Sequence, residues 1–264
     1  MILGFTKMHG LGNDFVVMDN FNGRITLTPE QVSFLCDRHK GIGADGIILV
    51  ESREGADCFM NYINADGTKA EMCGNGVRCV AKFLKDNYLK DKTNFLVDTL
   101  SGIKEITSHD DDTYSVDMGK ASFSHTDFPE ESMSIEGLDL AFVSMGNPFA
   151  IAMVEDLNSH DFLKLGKMVE NNKIFPNRIN FELVENKGEN KYKVRVWERG
   201  CGETLACGTG ACAVFALLAK NAESPEEIRI EFPGGTLHIS SDSEGGITMR
   251  GLAEEVFSGT IEIY

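Results

Sequence analysis

The strongest constraint on the fold is an internal duplication. When the 264-residue chain is aligned with itself at an offset of 134 residues, matches recur without a gap from residue 12 to residue 87. The segment "AEMCGNGVRCVAKFLKDN" (70–87) then meets "TLACGTGACAVFALLAKN" (204–221), with Cys73 opposite Cys207. Two copies are too few for a solenoid. The pattern predicts two pseudo-symmetric domains, with any shared site in the cleft between them.

Each copy shows the same predicted order of elements. A strand follows a Gly-Asn pair, and then come a helix, two strands, a Cys-Gly-x-Gly helix and further strands. In the first copy, Thr28 followed by Pro29 and Glu30 suits the start of the first helix, over 28–39. Both Cys-Gly-x-Gly helices are apolar on nearly all sides, which indicates that each is buried within a core. We expect an α/β (α+β) fold in which a strand-rich shell surrounds a central helix, twice.

The polar and acidic segment 120–138 is predicted to be the linker. It separates an N-terminal domain, 1–125, from a C-terminal domain, 126–264. The strand near 256–264 is a candidate to cross back to the first domain.

Charge and composition exclude several classes of function. The net charge of −16 argues against nucleic acid or an anionic membrane as a partner. The longest apolar run, 211–219, is too short to span a bilayer, and the N-terminal residues lack the pattern of a signal peptide. The seven cysteines show no dense disulfide spacing, so we expect free thiols in a reducing cytoplasm. Four of them are expected to be buried small hydrophobic residues: Cys36, Cys58, Cys79 and Cys212.

Two of the other three cysteines, Cys73 and Cys207, stand at predicted helix starts. The first turn of a helix has unpaired N–H groups, and the small residues after each cysteine would let a carboxylate approach them. The same field is expected to lower the pKa of each thiol. Two sulfurs on opposite faces of an α-carbon could remove and return a proton, which inverts the stereocentre. One such cysteine alone is more often a packing residue, but two in register favour function.

The sequence resembles the diaminopimelate epimerase family over essentially its whole length. The motifs that carry the resemblance are "KMHGLGNDF" (7–15), "NADG" (64–67), "CGNGVRC" (73–79), "MGNP" (145–148), "WERGCGETLACGTGACA" (197–213) and "FPGG" (232–235). The resemblance implies pyridoxal-independent epimerisation of LL- to meso-diaminopimelate in lysine and peptidoglycan precursor synthesis, with no cofactor. It also implies a homodimer, built partly by C-terminal strands such as "VFSGTIEIY" (256–264).

The resemblance implies a role for each matching residue. Cys73 and Cys207 would exchange the roles of base and acid, and Glu198 would support catalysis. The carboxylate-binding positions would be Gly74, Asn75, Gly208 and Thr209. The remaining polar contacts to the substrate would be Asn13, Asn64, Asn147, Asn180 and Arg199, together with Glu198.

Two positions depart from the family pattern. Many members have glutamine where Gly46 stands, and many have histidine where Phe149 stands. Phe149 matches Phe15 of the first copy, so it is either a packing residue or a change in the pocket. A racemase of another amino acid, such as histidine, on the same scaffold is therefore an open alternative.

Two further alternatives come from other classes. One is a thiol-redox or metal-binding module, although the cysteine and histidine spacings lack the pairs typical of zinc sites, so no metal is expected. The other is an isomerase of the phenazine-biosynthesis type, a group that lacks the paired cysteines.

Overall fold

A computed structural model describes residues 1–70, 72–129, 133–220 and 225–263. The chain divides into two compact units. The first consists of Met1–Asp117 and Gly251–Tyr264, and the second is Met118–Arg250. The predicted division after residue 125 stays a prediction.

The chain contains far more strand than helix. In chain order the strands are β1 (Ile2–Gly10), β2 (Asn13–Asn20), β3 (Gly46–Glu51), β4 (Cys58–Asn64), β5 (Asn94–Thr99), β6 (Gly102–Ser108), β7 (Thr113–Gly119), β8 (Met133–Ile135), β9 (Leu138–Ser144), β10 (Pro148–Val154), β11 (Asn180–Asn186), β12 (Lys191–Glu198), β13 (Gly202–Thr204), β14 (Glu227–Phe232), β15 (Gly235–Ser241), β16 (Ile247–Leu252) and β17 (Glu254–Glu262). The helices are α1 (Pro29–Cys36), α2 (Gly74–Asn87), α3 (Phe162–Glu170) and α4 (Gly208–Lys220), with a short 3₁₀ helix at Leu157–Ser159.

Strand pairing follows the same plan in both units. In the first unit the strands pair in the order β17-β1-β2-β3-β4-β5-β6-β7. In the second unit the order is β8-β9-β10-β11-β12-β14-β15-β16, and β13 also pairs with β12. The parallel pairs are β2 with β3 and β4 with β5, and correspondingly β10 with β11 and β12 with β14.

Each unit is built around one helix. Helix α2 contacts β1, β2, β5, β6 and β17, and its residues Val77 and Val80 are fully buried. Helix α4 contacts β9, β10, β11 and β15, and Ala211 and Val214 are fully buried. These two helices start at residues 74 and 208, which differ by the offset of the sequence duplication. The expected fold class is confirmed: two related α/β units, each a set of strands around a central helix.

The start of α1 is also as predicted. The Oγ1 atom of Thr28 accepts a hydrogen bond from the N–H of Gln31 at 3.3 Å, and the Gln31 side chain accepts from the N–H of Thr28 at 3.0 Å. This reciprocal pair caps the helix, and Pro29 occupies its first position. The helix ends at Cys36, before the predicted end, because the Asp37 carboxylate accepts from the next backbone N–H groups and turns the chain.

Sequence reasoning did not predict β1, β8, β9 and β13. Strand β1 pairs antiparallel with β17, which belongs to the first unit. The segment expected to be a linker, 120–138, contains β8, a bridge between Ser122 and Ser144 and the buried Asp127. Its described part therefore belongs to the second unit, and residues 130–132 lie outside the described residues, as does the last residue of the predicted strand 256–264.

The four cysteines expected to be packing residues are buried, which confirms that interpretation. Burial raises the pKa of Cys36 to about 11 and those of Cys58 and Cys79 to about 12. Among the described residues, no helix is long and apolar enough to cross a lipid bilayer.

Candidate active site

Three predicted site residues meet at the start of α2. Cys73 is the residue that precedes the helix, and its Sγ lies 3.3 Å from Oδ1 of Asn13, to which it donates. The Nδ2 group of Asn75, in the first turn, donates to the same oxygen at 3.3 Å. Cys73 is half-buried. The first unit therefore presents one sulfur, two amides and a helix start together.

A network of ion pairs holds Asn13 in place. Its Nδ2 donates to Asp45 at 2.8 Å, and Arg38 bridges Asp45 and Asp14 at 2.8 and 2.7 Å. Lys7, which is buried, pairs with Asp14 at 2.6 Å. Burial alone would raise the pKa of Asp14, but hydrogen bonds and charges from Arg38 and Lys7 lower it to about 2. The network stays charged near neutral pH, and so it fixes the orientation of the Asn13 amide.

A buried cation supports the same helix start, and sequence reasoning missed it. Arg78 is fully buried and donates to the carbonyl of Gly74 at 3.3 Å and to Oδ1 of Asn75 at 2.9 Å. It also donates to the carbonyl of Leu252 at 3.2 Å. The available signal was a charged residue within an apolar helix, between Val77 and Cys79, where a long side chain needs buried partners.

The start of α4 repeats this arrangement in the second unit. The Nδ2 of Asn147 donates to Oγ1 of Thr209 at 3.3 Å, as Asn75 and Asn13 pair in the first unit. Cys207 is buried, and its Sγ accepts from the N–H of Gly210 at 3.4 Å and lies 3.4 Å from Oγ1 of Thr209. Gly208 begins the helix. The duplication thus brings a sulfur and an amide to both helix starts.

The expected lowering of the thiol pKa is wrong for Cys207. Burial raises its pKa well above the usual range, and the carboxyl groups of Glu198 and Glu182 raise it further. The hydrogen bonds from Thr209 and Gly210 act in the opposite direction but do not overcome these effects. The helix field was considered without the two neighbouring acids, of which Glu182 was not recognised in the sequence.

Glu198 is the last residue of β12, and Arg199 lies in the turn that follows. Glu198 is half-buried, and its Oε1 accepts from the hydroxyl of Thr204 at 2.5 Å. Arg199 is exposed, and its guanidinium donates to the carbonyl of Asn177 at 3.2 Å. Asn180 is buried: its Oδ1 accepts from the backbone N–H of Arg199 at 2.9 Å, and its Nδ2 donates to the carbonyl of Pro148 at 2.8 Å. Asn180 therefore holds the turn that carries the two charged residues.

Glu170, which the sequence reasoning did not select, anchors the same turn. It accepts from the indole N–H of Trp197 at 2.7 Å and from the N–H of Gly200 at 2.8 Å. Burial would raise its pKa, but these bonds and the charge of Arg178 lower it. The signal was helical spacing. The buried residues of α3 recur every three to four positions, which places Glu170 on the same face as Phe162.

Gly46 and Asn64 face each other across β3 and β4. A Cβ on Gly46 would lie 2.5 Å from Cε2 of Tyr62 and 2.6 Å from the carbonyl oxygen of Ile63, so this backbone leaves no space for a side chain. The Tyr62 ring occupies the space and packs edge-on against Phe15, with ring centres 5.6 Å apart. Asn64 donates to Oγ1 of Thr68 at 3.0 Å, which closes the following turn.

Phe149 lies in the interior of the second unit. It is fully buried, and its Cε1 would be 3.2 Å from a Cβ placed on Gly210. It therefore packs behind the start of α4, and its counterpart Phe15 is also fully buried. Within the part of the chain that the structure describes, no three His, Cys, Asp or Glu side chains are placed to hold a metal ion.

Comparison with known proteins decides the family. The sequence model of the diaminopimelate epimerase family matches residues 5–124 and 141–256. The diaminopimelate epimerase of Leptospira biflexa is 40% identical over 280 residues, with 100% of both chains covered. That of Agathobacter rectalis is 41% identical over 283 residues, covering 98% of this chain and 99% of the relative. This chain belongs to the diaminopimelate epimerase family.

Solved structures show that the fold reaches beyond the diaminopimelate epimerase family. A phenazine biosynthesis protein of the PhzF family from Bacillus anthracis superposes with a TM-score of 0.76 at 20% identity, with 100% of both chains covered. A hydroxyproline epimerase from Agrobacterium vitis superposes with a TM-score of 0.71 at 14% identity, covering 98% of this chain and 91% of that chain. At these identities the likeness concerns the fold alone.

Proposed function

We propose that this protein epimerises LL-diaminopimelate to meso-diaminopimelate by moving the α-proton between Cys73 and Cys207. The observation that carries the proposal is the repeated helix start. Each unit places one cysteine directly before a buried helix, next to a paired amide: Asn13 with Asn75, and Asn147 with Thr209. Membership of the family over the whole chain supports the substrate class.

The proposed chemistry uses only the two sulfurs. The substrate carboxylate would lie on the N–H groups of the two first turns, at Gly74, Asn75, Gly208 and Thr209, where the helix dipole favours an anion. One sulfur, as thiolate, would remove the α-proton and become a thiol. The electron pair would delocalise into the carboxylate, and the other thiol would donate its proton to the opposite face. No cofactor takes part in this proposed reaction, and the two sulfurs exchange protonation states in each turnover.

The difference between the two units supports a substrate with a second charged end. At the positions where the second unit has Glu198 and Arg199, the first unit has Asn64 and Ala65. A guanidinium binds a carboxylate through two parallel hydrogen bonds, and Arg199 is exposed. We therefore propose that Arg199 binds the distal carboxylate, with Glu198, Asn64 and Asn180 completing the distal site.

Exchange of the α-proton in deuterated water tests the substrate. The protein is incubated with diaminopimelate, histidine and lysine, and deuterium uptake at the α-carbon is followed by NMR. Uptake with diaminopimelate, together with interconversion of the LL and meso forms, is the expected result. Uptake with histidine or lysine but none with diaminopimelate would establish the racemase alternative. The burial of Phe149 favours diaminopimelate, because a packing residue does not reshape the pocket.

We also propose a homodimer in a reducing cytoplasm. Strand β17 carries the exposed residues Val256 and Phe257, and β1 carries the exposed Ile2. Paired exposed strands with apolar side chains suit association with a second copy. All seven cysteines are free, as thiol catalysis requires. A dimer in sedimentation experiments, converted to a monomer by Phe257→Asp, is the expected result.

A further inference from the structure

Glu182 on β11 is a buried acid that the proposed reaction does not use. Its side chain has no exposed surface, and neither carboxyl oxygen has a hydrogen-bond partner among the described residues. The carboxyl lies directly against Gly210, since any side chain at that position would overlap with Oε1 of Glu182. Burial of a carboxyl group without a hydrogen-bond partner is unfavourable, and more so when the group is ionised. Such a group therefore has either a structural or a functional reason to be present.

The first unit shows that the fold does not require an acid at this position. The duplication places Ile48 opposite Glu182 and Gly76 opposite Gly210. The Cδ1 of Ile48 would be 3.2 Å from a Cβ on Gly76, so a hydrocarbon side chain fills the equivalent space below α2. Since an isoleucine completes the same packing, the carboxyl of Glu182 serves another purpose.

The neighbours of Glu182 indicate what that purpose is. Gly210, against which the carboxyl lies, donates its N–H to the sulfur of Cys207 at 3.4 Å. Two ionisable groups of the described residues interact electrostatically with Glu182: Cys207 before α4 and Glu198 on β12. Phe149 on β10 also lies against Gly210, and its side chain cannot ionise. Burial raises the pKa of Glu182 well above its usual range, and the charge of Glu198 raises it further. Glu198, half-buried and hydrogen-bonded by Thr204, therefore carries the first negative charge of this cluster.

We propose that Glu182 is a positioning residue that acts through Cys207, and that its carboxyl keeps the Cys207 sulfur protonated and ready to donate. The inference rests on the proposed two-thiol reaction. A negative charge on Glu182, added to that of Glu198, opposes formation of the Cys207 thiolate. Cys207 is thus the proton donor of the resting enzyme, which leaves Cys73 to act first as the base.

The ionisation of Cys207 can be measured without substrate. The full-length protein is labelled with carbon-13 at the cysteine β-carbon, whose chemical shift reports thiol ionisation, and the Cys207 signal is assigned with Cys207→Ser. In Glu182→Gln, which keeps the shape but cannot ionise, the Cys207 transition should move to lower pH. At a fixed pH on the rising limb, the ratio of thiolate to thiol should increase roughly tenfold or more. The basic limb of the pH profile of kcat/KM should move in the same direction.

Three comparisons make the result decisive. Glu185→Gln changes an acid on the same strand that pairs with Lys187, and it should leave the Cys207 transition in place. The Cys73 transition should be unchanged in Glu182→Gln. Glu182→Ile copies the first unit and replaces Glu182→Gln if that variant does not fold. An unmoved Cys207 transition in a folded Glu182 variant overturns the proposal. A moved transition in a protein without epimerase activity would uphold the link to Cys207 and overturn the proposed function instead.

Discussion

The starts of α2 and α4 have equivalent positions in the two units but differ in the buried ionisable side chain next to them. At the start of α2 the side chain of Arg78, a residue of the helix itself, is buried and bonded to Gly74 and Asn75. At the start of α4 the buried ionisable side chain is that of Glu182 from β11, with Glu198 nearby. The two sulfurs also differ in their partners: Cys73 donates to the amide oxygen of Asn13, whereas Cys207 accepts from the backbone N–H of Gly210. A duplicated scaffold can therefore present the same atoms twice and still surround the two sulfurs with different charges and hydrogen-bond partners.

The comparison also explains where symmetry was kept and where it was lost. The hydrogen bonds beside the sulfurs, Asn75 to Asn13 and Asn147 to Thr209, are both 3.3 Å long. The end of β12 and the next position carry Glu198 and Arg199, whereas the equivalent positions at the end of β4 carry Asn64 and Ala65. The reacting centre of an amino acid needs a similar group on each face, but its side chain extends to one side alone.

The largest effect is expected from removing either sulfur. Cys73→Ala and Cys207→Ala should each lower epimerisation in both directions by about a thousandfold or more, because one face of the α-carbon loses its proton carrier. Coupled assays from LL- and from meso-diaminopimelate measure both rates. Cys79→Ala and Cys212→Ala, at buried positions in the same two helices, serve as controls and should retain activity. Near-parental turnover in either sulfur variant would refute the two-thiol reaction.

The next effect compares how tightly neighbouring side chains pack against Gly210 of α4 and Gly76 of α2. Gly210→Ala should destabilise the fold by about 3 kcal/mol, because the new methyl group overlaps with the confined Glu182 carboxyl. Gly76→Ala should cost about 1 kcal/mol, because its methyl group meets the flexible end of Met60 at 2.7 Å. Urea unfolding of both variants measures the difference. Equal losses would show that the two spaces are equally tolerant.

A smaller effect is expected at the asymmetric turn. Arg199→Lys should raise the KM for diaminopimelate roughly tenfold to a hundredfold, because a lysine lacks the planar pair of donors. Its melting temperature should change little, since the guanidinium is exposed. Arg195→Lys, which disturbs the surface pair with Glu203, is the matched control and should leave KM unchanged. An unaltered KM in Arg199→Lys would assign Arg199 a structural role.

The smallest effect concerns stability and pH. Because the pKa of Glu182 is raised in the folded protein, the folded form holds one more proton than the unfolded form above the ordinary value of 4.5. Its contribution to the free energy of unfolding therefore falls as pH rises, by at most about 1.4 kcal/mol per pH unit. Relative to the parent, Glu182→Gln should therefore gain stability as pH rises from 5 to 8.

Glu185→Gln provides a control of opposite sign. Its hydrogen bond with Lys187 lowers the pKa of Glu185, so its contribution is present above pH 4.5 and is lost as pH falls. Denaturant titrations of the parent, Glu182→Gln and Glu185→Gln at pH values on both sides of 4.5 separate the two trends. If the parent and Glu182→Gln show parallel stability curves, Glu182 ionises in the folded protein as it does in the unfolded chain.

The sequence alone determined the repeated parts of this protein. The offset between Cys73 and Cys207 predicted two related units, and the helix starts after both cysteines lie where the pattern placed them. Local signals sufficed because capping residues, apolar periodicity and small residues act within a few positions of one another. The motifs that carry the resemblance also gave the family, which the full-length relatives confirmed.

The tertiary structure decided the features that depend on distant residues. Strand β1 lacks a strong pattern of its own and is completed by β17, from the other end of the chain. Tyr62, on the neighbouring strand, occupies the space that a side chain at Gly46 would need. Glu170, on α3, accepts from the N–H of Gly200 and so holds the turn that contains Arg199. The proton affinity of Cys207 reversed the expectation drawn from its helix, because burial and the acid from β11 outweigh the field of one helix end. Burial and charge proximity are properties of the packed chain, and no local stretch of sequence records them.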